Sequence, residues 1–281
     1  MDNSIVIERE DRGMSVEIRP SQGLDIGRVV FNGVRHDWDR STSKLITGHA
    51  WLDSWQGGLV RTAGLRNVGQ PSEGHGLHGA FALKSARNVS VVDRADGSLI
   101  SGTVVDGELE SQRSVEVDMA AARITMRDVV TNRSHDAAQA PILYHVNWGS
   151  PFLGPELMVD VPSHKILPRD PGSPTDHVDW RHPAGSSAVN EIVIEHLITP
   201  ENQFARLTNP STATSAFLEW SGLPRVHQWI NTDPAWGVVA IEPANCSVRG
   251  LRADRAVGDT PRLAPGESRT TSLTITFRTA S

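Results

Sequence analysis

The sequence predicts an all-β protein built from antiparallel sheets. Short segments in which apolar and polar residues alternate recur along its 281 residues, and turn residues separate them. A period of two is typical of half-buried strands. Helical signals are weak: no segment of twelve or more residues keeps an apolar stripe at helical spacing, and 24 glycines and 17 prolines interrupt the chain.

Individual strands and loops can be assigned in chain order. Strands are predicted at Met14–Arg19, Ser114–Met119, Arg123–Val130, Ile142–Trp148 and Thr271–Phe277, and a central strand at the strongly apolar Gly237–Ile241. Two long stretches, Trp38–Gly79 and Pro162–Asn190, predict loops, and loops of this length tend to carry function. No repeat or shift in composition marks a boundary, so we expect one domain over residues 1–281.

Charge and cysteine content narrow the class of protein. The chain has 27 basic and 33 acidic side chains, a net charge of -6 and no run of Lys or Arg, which argues against nucleic-acid and membrane partners. The single cysteine, Cys246, excludes an intrachain disulfide and fits a reducing compartment. The N-terminus lacks the layout of a signal peptide, so we expect a cytoplasmic protein. We expect it to be a monomer or a homodimer.

A glycine-rich segment, Gly57–Gly79, is the first concentration of polar side chains. It carries Arg61, Asn67, Glu73, His75 and His78 among seven glycines, which let the backbone approach a ligand closely. The spacing of His75, His78 and Glu73 would allow a metal site. The alternative is a glycine-rich loop with a solvent-facing histidine.

The predicted strand Ile142–Trp148 is the second concentration of polar side chains. Alternation places Tyr144, Val146 and Trp148 on one face and His145 with Asn147 on the other. Such a polar pair either is solvated or faces a ligand. The sequence Gly-Ser-Pro that follows predicts that the strand ends at a rim, where binding residues often lie.

Glu242 directly follows the apolar run Gly237–Ile241 and precedes a proline. Burial at the end of such a strand would raise the pKa of its carboxyl group, because a low dielectric disfavours the charged form. A carboxylate with a raised pKa suits general base catalysis near neutral pH. The alternative is a structural carboxylate paired with Arg249 or Arg252.

Taken together, these segments resemble the galactose mutarotase-like superfamily, the aldose 1-epimerases, and within it a bacterial branch of mostly unassigned function. The order of the matching pieces carries the resemblance: Gly23–Gly33, Gly57–Gly69, Gly76–Gly79 (GLHG), Leu143–Leu153 (LYHVNWGSPFL), Leu223–Trp229, Ile241–Asn245 (IEPAN) and Leu263–Ser268. The resemblance implies a large antiparallel β-sandwich with a sugar pocket on its concave side.

The resemblance also implies catalytic roles for His78, His145 and Glu242. If the chain works as the family does, Glu242 would take the proton of the anomeric hydroxyl while His145 protonates the ring oxygen. The open aldehyde then rotates and recloses on either face. His78 would donate a hydrogen bond to the ring oxygen or to a neighbouring hydroxyl. No cofactor is needed, because an imidazole can give and regain a proton near neutral pH.

Eight further residues, four tryptophans and four polar residues, are candidate sugar contacts. Eight of the fifteen aromatic residues are Trp, and sugar C–H faces pack well on indole rings. Trp148 and Trp229 lie in the matched segments and are the first stacking candidates, followed by Trp51 and Trp55 in the first long loop. The polar candidates are Asp25, Arg61, Asn67 and Asn147.

Two other functions remain compatible with these residues. The same acid–base pair could isomerise a keto-sugar, epimerise it at another carbon or catalyse β-elimination, with a divalent metal held by His75, His78, Glu73 or His145. The second is a carbohydrate-binding module without turnover, which the tryptophan content would suit equally well. A small-molecule sugar is the expected partner in every case.

Overall fold

The computed structural model describes residues 4–40, 47–170, 179–185, 191–233 and 235–280, and most of them lie in antiparallel strands. Its strands are β1 (Ile5–Arg9), β2 (Met14–Arg19), β3 (Asp25–Phe31), β4 (Val34–Arg35), β5 (Val60–Gly64), β6 (Arg87–Arg94), β7 (Gly97–Asp106), β8 (Leu109–Asp118), β9 (Arg123–Asn132), β10 (Ala138–Gln139), β11 (Ile142–Gly149), β12 (Met158–Asp160), β13 (Lys165–Pro168), β14 (Ile192–Leu197), β15 (Phe204–Asn209), β16 (Thr214–Ser221), β17 (Arg225–Asn231), β18 (Val238–Ala244), β19 (Arg262–Leu263) and β20 (Ser268–Thr279). Within the described ranges, the α-helices are α1 (Ala50–Asp53) and α2 (Leu251–Ala256), and no helix there could cross a membrane.

Two large sheets form the body of the protein. The first has eight strands in the order β12-β15-β16-β20-β9-β8-β7-β6, and the second has six in the order β13-β14-β17-β18-β11-β5. An N-terminal sheet of β1 to β4 and a short pair of β10 with β19 complete the architecture. The prediction of an all-β, antiparallel fold is therefore confirmed.

The core lies between the two large sheets. Alternate residues of β8, β9 and β20, such as Val115, Ile124 and Ile275, point inward from the eight-stranded sheet. They belong to one buried cluster with Tyr144 and Val146 of β11 in the six-stranded sheet. Burial of one face of each sheet against the other is the packing of a β-sandwich.

The strands predicted from alternation are present, whereas the two predicted loops need correction. The first, Trp38–Gly79, contains α1 and the strand β5, although residues 41–46 lie outside the described chain. The second, Pro162–Asn190, contains β13, and residues 171–178 and 186–190 lie outside the description. Strand β5 escaped prediction because all five of its residues are buried, so that its sequence does not alternate.

Candidate active site

Two neighbouring strands of the six-stranded sheet bring His145 and Glu242 together. Strands β11 and β18 are antiparallel, with Val146 opposite Ile241. Because those two side chains point into the sandwich core, the residues beside them in sequence, His145 and Glu242, project from the other face. The Nε2 atom of His145 lies 3.1 Å from Oε1 of Glu242, and both residues are almost completely buried.

Asn147 determines which nitrogen of His145 carries hydrogen. Its amide nitrogen donates to the main-chain carbonyls of His145 (2.6 Å) and Leu59 (3.3 Å), so its Oδ1 atom is the acceptor that faces Nδ1 of His145. Nδ1 must therefore be a donor. Nε2 is left to exchange a proton with Glu242, either accepting from the neutral carboxyl group or donating to the carboxylate. The pair thus shares one proton.

Burial shifts both groups toward their neutral forms. Loss of solvent raises the pKa of Glu242 to about 8; the negative charge of Glu191 raises it further, and the positive charge of Arg169 lowers it. Loss of solvent lowers the pKa of His145 to about 3, although the hydrogen bond that His145 donates to Asn147 raises it. At neutral pH the shared proton therefore rests mainly on Glu242. This agrees with the raised pKa predicted for a carboxylate at this position.

His78 joins the pair from the loop after β5. Its ring centroid lies 5.9 Å from that of His145, and its Nδ1 atom accepts a 3.4 Å hydrogen bond from the main chain of Gly69. Burial, and then the proximity of His145, lowers the pKa of His78. The loop can approach β5 this closely because Gly79 has a positive φ of 71°, and a Cβ there would lie 2.6 Å from the main-chain oxygen of Gly64 at the end of β5.

A cavity of about 190 Å³ opens onto these three residues. Tryptophans form much of its wall: Trp51, Trp55, Trp229 and Trp236. The rings of Trp55 and Trp229 each lie 5.3 Å from the His145 ring. The remaining lining residues are His49, Leu52, Gly69, Gln70, Leu77, Arg169, Glu191, Val193 and Val248. Drug-sized ligands occupy roughly 300–1,000 Å³, so this cavity suits a smaller molecule with a flat apolar face.

The structure places Trp148 elsewhere, which corrects its assignment as a stacking residue. Its side chain is fully buried in the sandwich core, 5.4 Å from the ring of Phe152. The reason is the alternation of β11, which sends Trp148 to the face opposite His145. Trp229 does line the cavity, because it projects from β17 opposite Ala240, on the outer face of the same sheet.

The four polar candidates support the site rather than line the cavity. Asn147 orients His145, as described above. Asn67 donates to the carbonyls of Gln70 (3.0 Å) and Gly76 (2.9 Å) and so braces the loop that carries His78. Asp25 lies in a buried network, 2.7 Å from the guanidinium of Arg113. Ligand contacts predicted for these side chains have no basis in their positions.

Arg61 also lies behind the cavity wall. Its guanidinium carbon lies 4.8 Å from the ring centroid of Trp51 and 5.8 Å from that of Trp55. It donates to the carbonyl of Trp51 (2.9 Å) and the hydroxyl of Ser54 (2.7 Å). A buried cation stacked on two indole rings holds those rings in place against the cavity.

The residues suggested as metal ligands are separated. Glu73 and His75 lie in a different surface groove, where Glu73 pairs with Arg255 at 3.0 Å, while His78 lines the cavity. In the part of the chain that the structure describes, no group of three or more His, Cys, Asp or Glu is arranged to hold a metal ion.

Sequence reasoning missed two charged residues of the cavity, Arg169 and Glu191. Arg169 directly follows β13 and Glu191 directly precedes β14, and these strands are antiparallel neighbours. The guanidinium NH1 of Arg169 lies 2.9 Å from Oε1 of Glu191. The β-branched run IVI that opens β14 was the signal that could have located this strand.

Comparison with known proteins identifies the family. The model of a family described as "Domain of unknown function (DUF4432)" matches residues 3–277. The chain belongs to the DUF4432 family. No curated protein matches this DUF4432 chain in sequence.

Several solved structures share the fold. A "putative aldose 1-epimerase" from Klebsiella pneumoniae is 22% identical, with a TM-score of 0.79 over 95% of this chain and 77% of that one. The Slr1438 protein from Synechocystis is 12% identical, with a TM-score of 0.76 over 99% and 96% of the two chains. A galactose mutarotase-like protein from Lactobacillus casei is 12% identical, with a TM-score of 0.67 over 98% and 100%. The DUF4432 chain therefore has the galactose mutarotase-like fold, as its sequence motifs predicted.

The arrangement in this DUF4432 protein is suited to moving protons between atoms of a bound ligand. His145 and Glu242 offer an acid and a base 3.1 Å apart, joined by one exchangeable proton. His78 adds a third polar group within the same cavity, whose wall also carries four indole rings. Such a site can protonate one oxygen of a ligand while deprotonating another.

Proposed function

We propose that the protein is a carbohydrate-acting isomerase of the aldose 1-epimerase type, which interconverts the anomers of a free sugar. The observation that carries the proposal is the His145–Glu242 pair, which shares a proton inside a tryptophan-lined cavity. The galactose mutarotase-like fold of its structural neighbours supports the same reading.

Ring opening uses the pair in its charged form, with imidazolium at His145 and carboxylate at Glu242. His145 Nε2 gives its proton to the ring oxygen, the bond between that oxygen and C1 breaks, and Glu242 takes the proton of the anomeric hydroxyl. Both oxygens are bonded to C1, so they lie close enough to meet two groups 3.1 Å apart. The product is an open aldehyde, and the pair again holds one proton.

Closure reverses these steps after rotation about the bond between C1 and C2. The proton now on Glu242 returns to the aldehyde oxygen, and His145 withdraws the proton from the attacking hydroxyl. His78 would donate a hydrogen bond to the ring oxygen or to a neighbouring hydroxyl. The indole faces of Trp55 and Trp229, which flank His145, would hold the apolar C–H face of the ring.

Polarimetry on freshly dissolved α-anomers tests the proposal, with a panel of neutral aldoses, uronic acids and keto-sugars. We expect faster equilibration with at least one of them, and a loss of about 10²–10⁴-fold in Glu242→Gln. Glu116→Gln is the matched control, since Glu116 is an exposed carboxylate that pairs with Arg94. Failure to accelerate equilibration of any sugar would refute the proposal, and so would full activity in Glu242→Gln.

A further inference from the structure

An ion pair on the cavity wall takes no part in the proton transfers described above. Arg169 and Glu191 both line the cavity, and their side chains are joined at 2.9 Å. The main chain of Arg169 is held firmly: its N–H donates to Val193 at 2.9 Å and its carbonyl accepts from Nε of Arg249 at 3.2 Å. These contacts fix the main chain of Arg169 at the wall, and its guanidinium pairs with Glu191 and Asp170.

Stability does not account for this pair. The side chain of Glu191 is 47% exposed and that of Arg169 is 20% exposed. Ion pairs this open to solvent contribute little to folding, because water and salt screen them and two long side chains must be ordered. Both residues nevertheless line a cavity whose wall also carries four tryptophans. Its position suits contact with a ligand better than structural support.

The chemistry of the pair matches hydroxyl groups. A hydroxyl both donates and accepts a hydrogen bond. The guanidinium offers donors and the carboxylate offers acceptors, side by side, so two adjacent hydroxyls can each find a charged partner. An anionic ligand fits less well. It would meet the carboxylate of Glu191 and also that of Asp170, which lies 2.8 Å from the same guanidinium.

Resting on the proposed function for the identity of the ligand as a sugar, we propose that Arg169 and Glu191 form a clamp that binds two adjacent hydroxyls of an uncharged sugar. The reacting carbon lies at His145 and Glu242, so the clamp binds hydroxyls away from that carbon. These two residues then determine which sugar the cavity accepts.

Binding measurements test the clamp independently of turnover. Quenching of tryptophan fluorescence reports occupancy, because four tryptophans line the cavity. Neutral aldoses are titrated first, followed by the monodeoxy derivatives of the aldose that binds best. The variants are Glu191→Gln, which removes the charge and keeps the size, and Arg169→Met. The control is Glu116→Gln, whose side chain is 45% exposed and pairs with Arg94.

For the wild-type protein, we expect one or two of the monodeoxy sugars to bind about ten- to a hundredfold more weakly than the parent. Glu191→Gln and Arg169→Met should bind the parent sugar more weakly by a similar factor and should no longer distinguish it from the monodeoxy sugars. The control variant should keep both the affinity and the discrimination. If the protein discriminates between these sugars in binding but catalyses no turnover, the proposed function is refuted and the clamp is supported. Unchanged relative affinities in both variants would overturn the clamp, as would a failure of every neutral aldose to bind the wild type.

Discussion

Asn147 provides a sharp test of how the candidate acid–base pair is set up. Asn147→Leu and Asn147→Asp both remove the two hydrogen bonds that the amide donates to main-chain carbonyls. They differ in the acceptor that faces Nδ1 of His145, which the aspartate keeps and the leucine lacks. The two variants therefore compare the presence and the absence of an acceptor at Nδ1, with the aspartate also adding a negative charge.

The magnitude follows from the contact that is lost. In the working form His145 is charged, and a hydrogen bond to a charged group is worth about 1.5–3 kcal/mol. If the bond stabilises the imidazolium in the transition state, Asn147→Leu loses about ten- to 150-fold in kcat/KM. Asn147→Asp should recover most of that loss, because a carboxylate also accepts from Nδ1–H.

Polarimetric kcat/KM on the best sugar is the first measurement, and ¹⁵N NMR of the His145 ring is the second. The wild type should show hydrogen on Nδ1 in its neutral form, and Asn147→Leu should show a mixture of tautomers. Equal activity in the leucine and aspartate variants, with Nδ1–H retained in both, would refute the assignment of Asn147 as the residue that orients His145.

Three further predictions follow from the buried carboxylate and the tryptophans. The rate should be nearly level at neutral pH and fall as pH rises through about 8, because the His145–Glu242 pair then loses the proton that it must give to the ring oxygen. A pH profile of kcat/KM that rises through pH 9 would contradict this. The pKa of Glu242 is raised in the folded protein, so its proton stabilises the fold below pH 4.5, and this stability is lost as pH rises toward about 8. Glu242→Gln has no such proton, so its stability relative to wild type should grow by about 1.4 kcal/mol per pH unit across that window, and urea denaturation at pH 5 and pH 8 checks it. Trp148→Ala should lose about 3–5 kcal/mol of stability, whereas Trp229→Ala should chiefly weaken sugar binding; thermal melts beside fluorescence titrations separate the two, and the reverse pattern would contradict their assignment to core and cavity.

Local patterns predicted the strands and part of the site. Alternation identified β2 and β9, because a strand with one buried face repeats its polarity every two residues. The same rule placed His145 and Asn147 on one face of β11, and the apolar run before Glu242 predicted its burial. It also placed Trp148 opposite His145, and that face became the core.

Contacts between distant segments escaped such patterns. Arg61 was assigned to the ligand because it lies in a matched segment, yet its guanidinium stacks on Trp51, ten residues earlier in the chain. Arg169 and Glu191 stand 22 residues apart, and only the pairing of β13 with β14 brings them to one wall. Nothing in the local sequence around either residue predicts that the two side chains meet.

The antiparallel β class follows from periodicity alone, and the order of short motifs singled out His78, His145 and Glu242 as candidates, because both are properties of the chain. Three features needed the folded chain: which tryptophans line the cavity, the hydrogen bond between Nδ1 of His145 and Asn147, and the ion pair of Arg169 with Glu191 in the same cavity. The physical reason is that each of these depends on strand register and on the packing of one sheet face, where residues far apart in the chain meet.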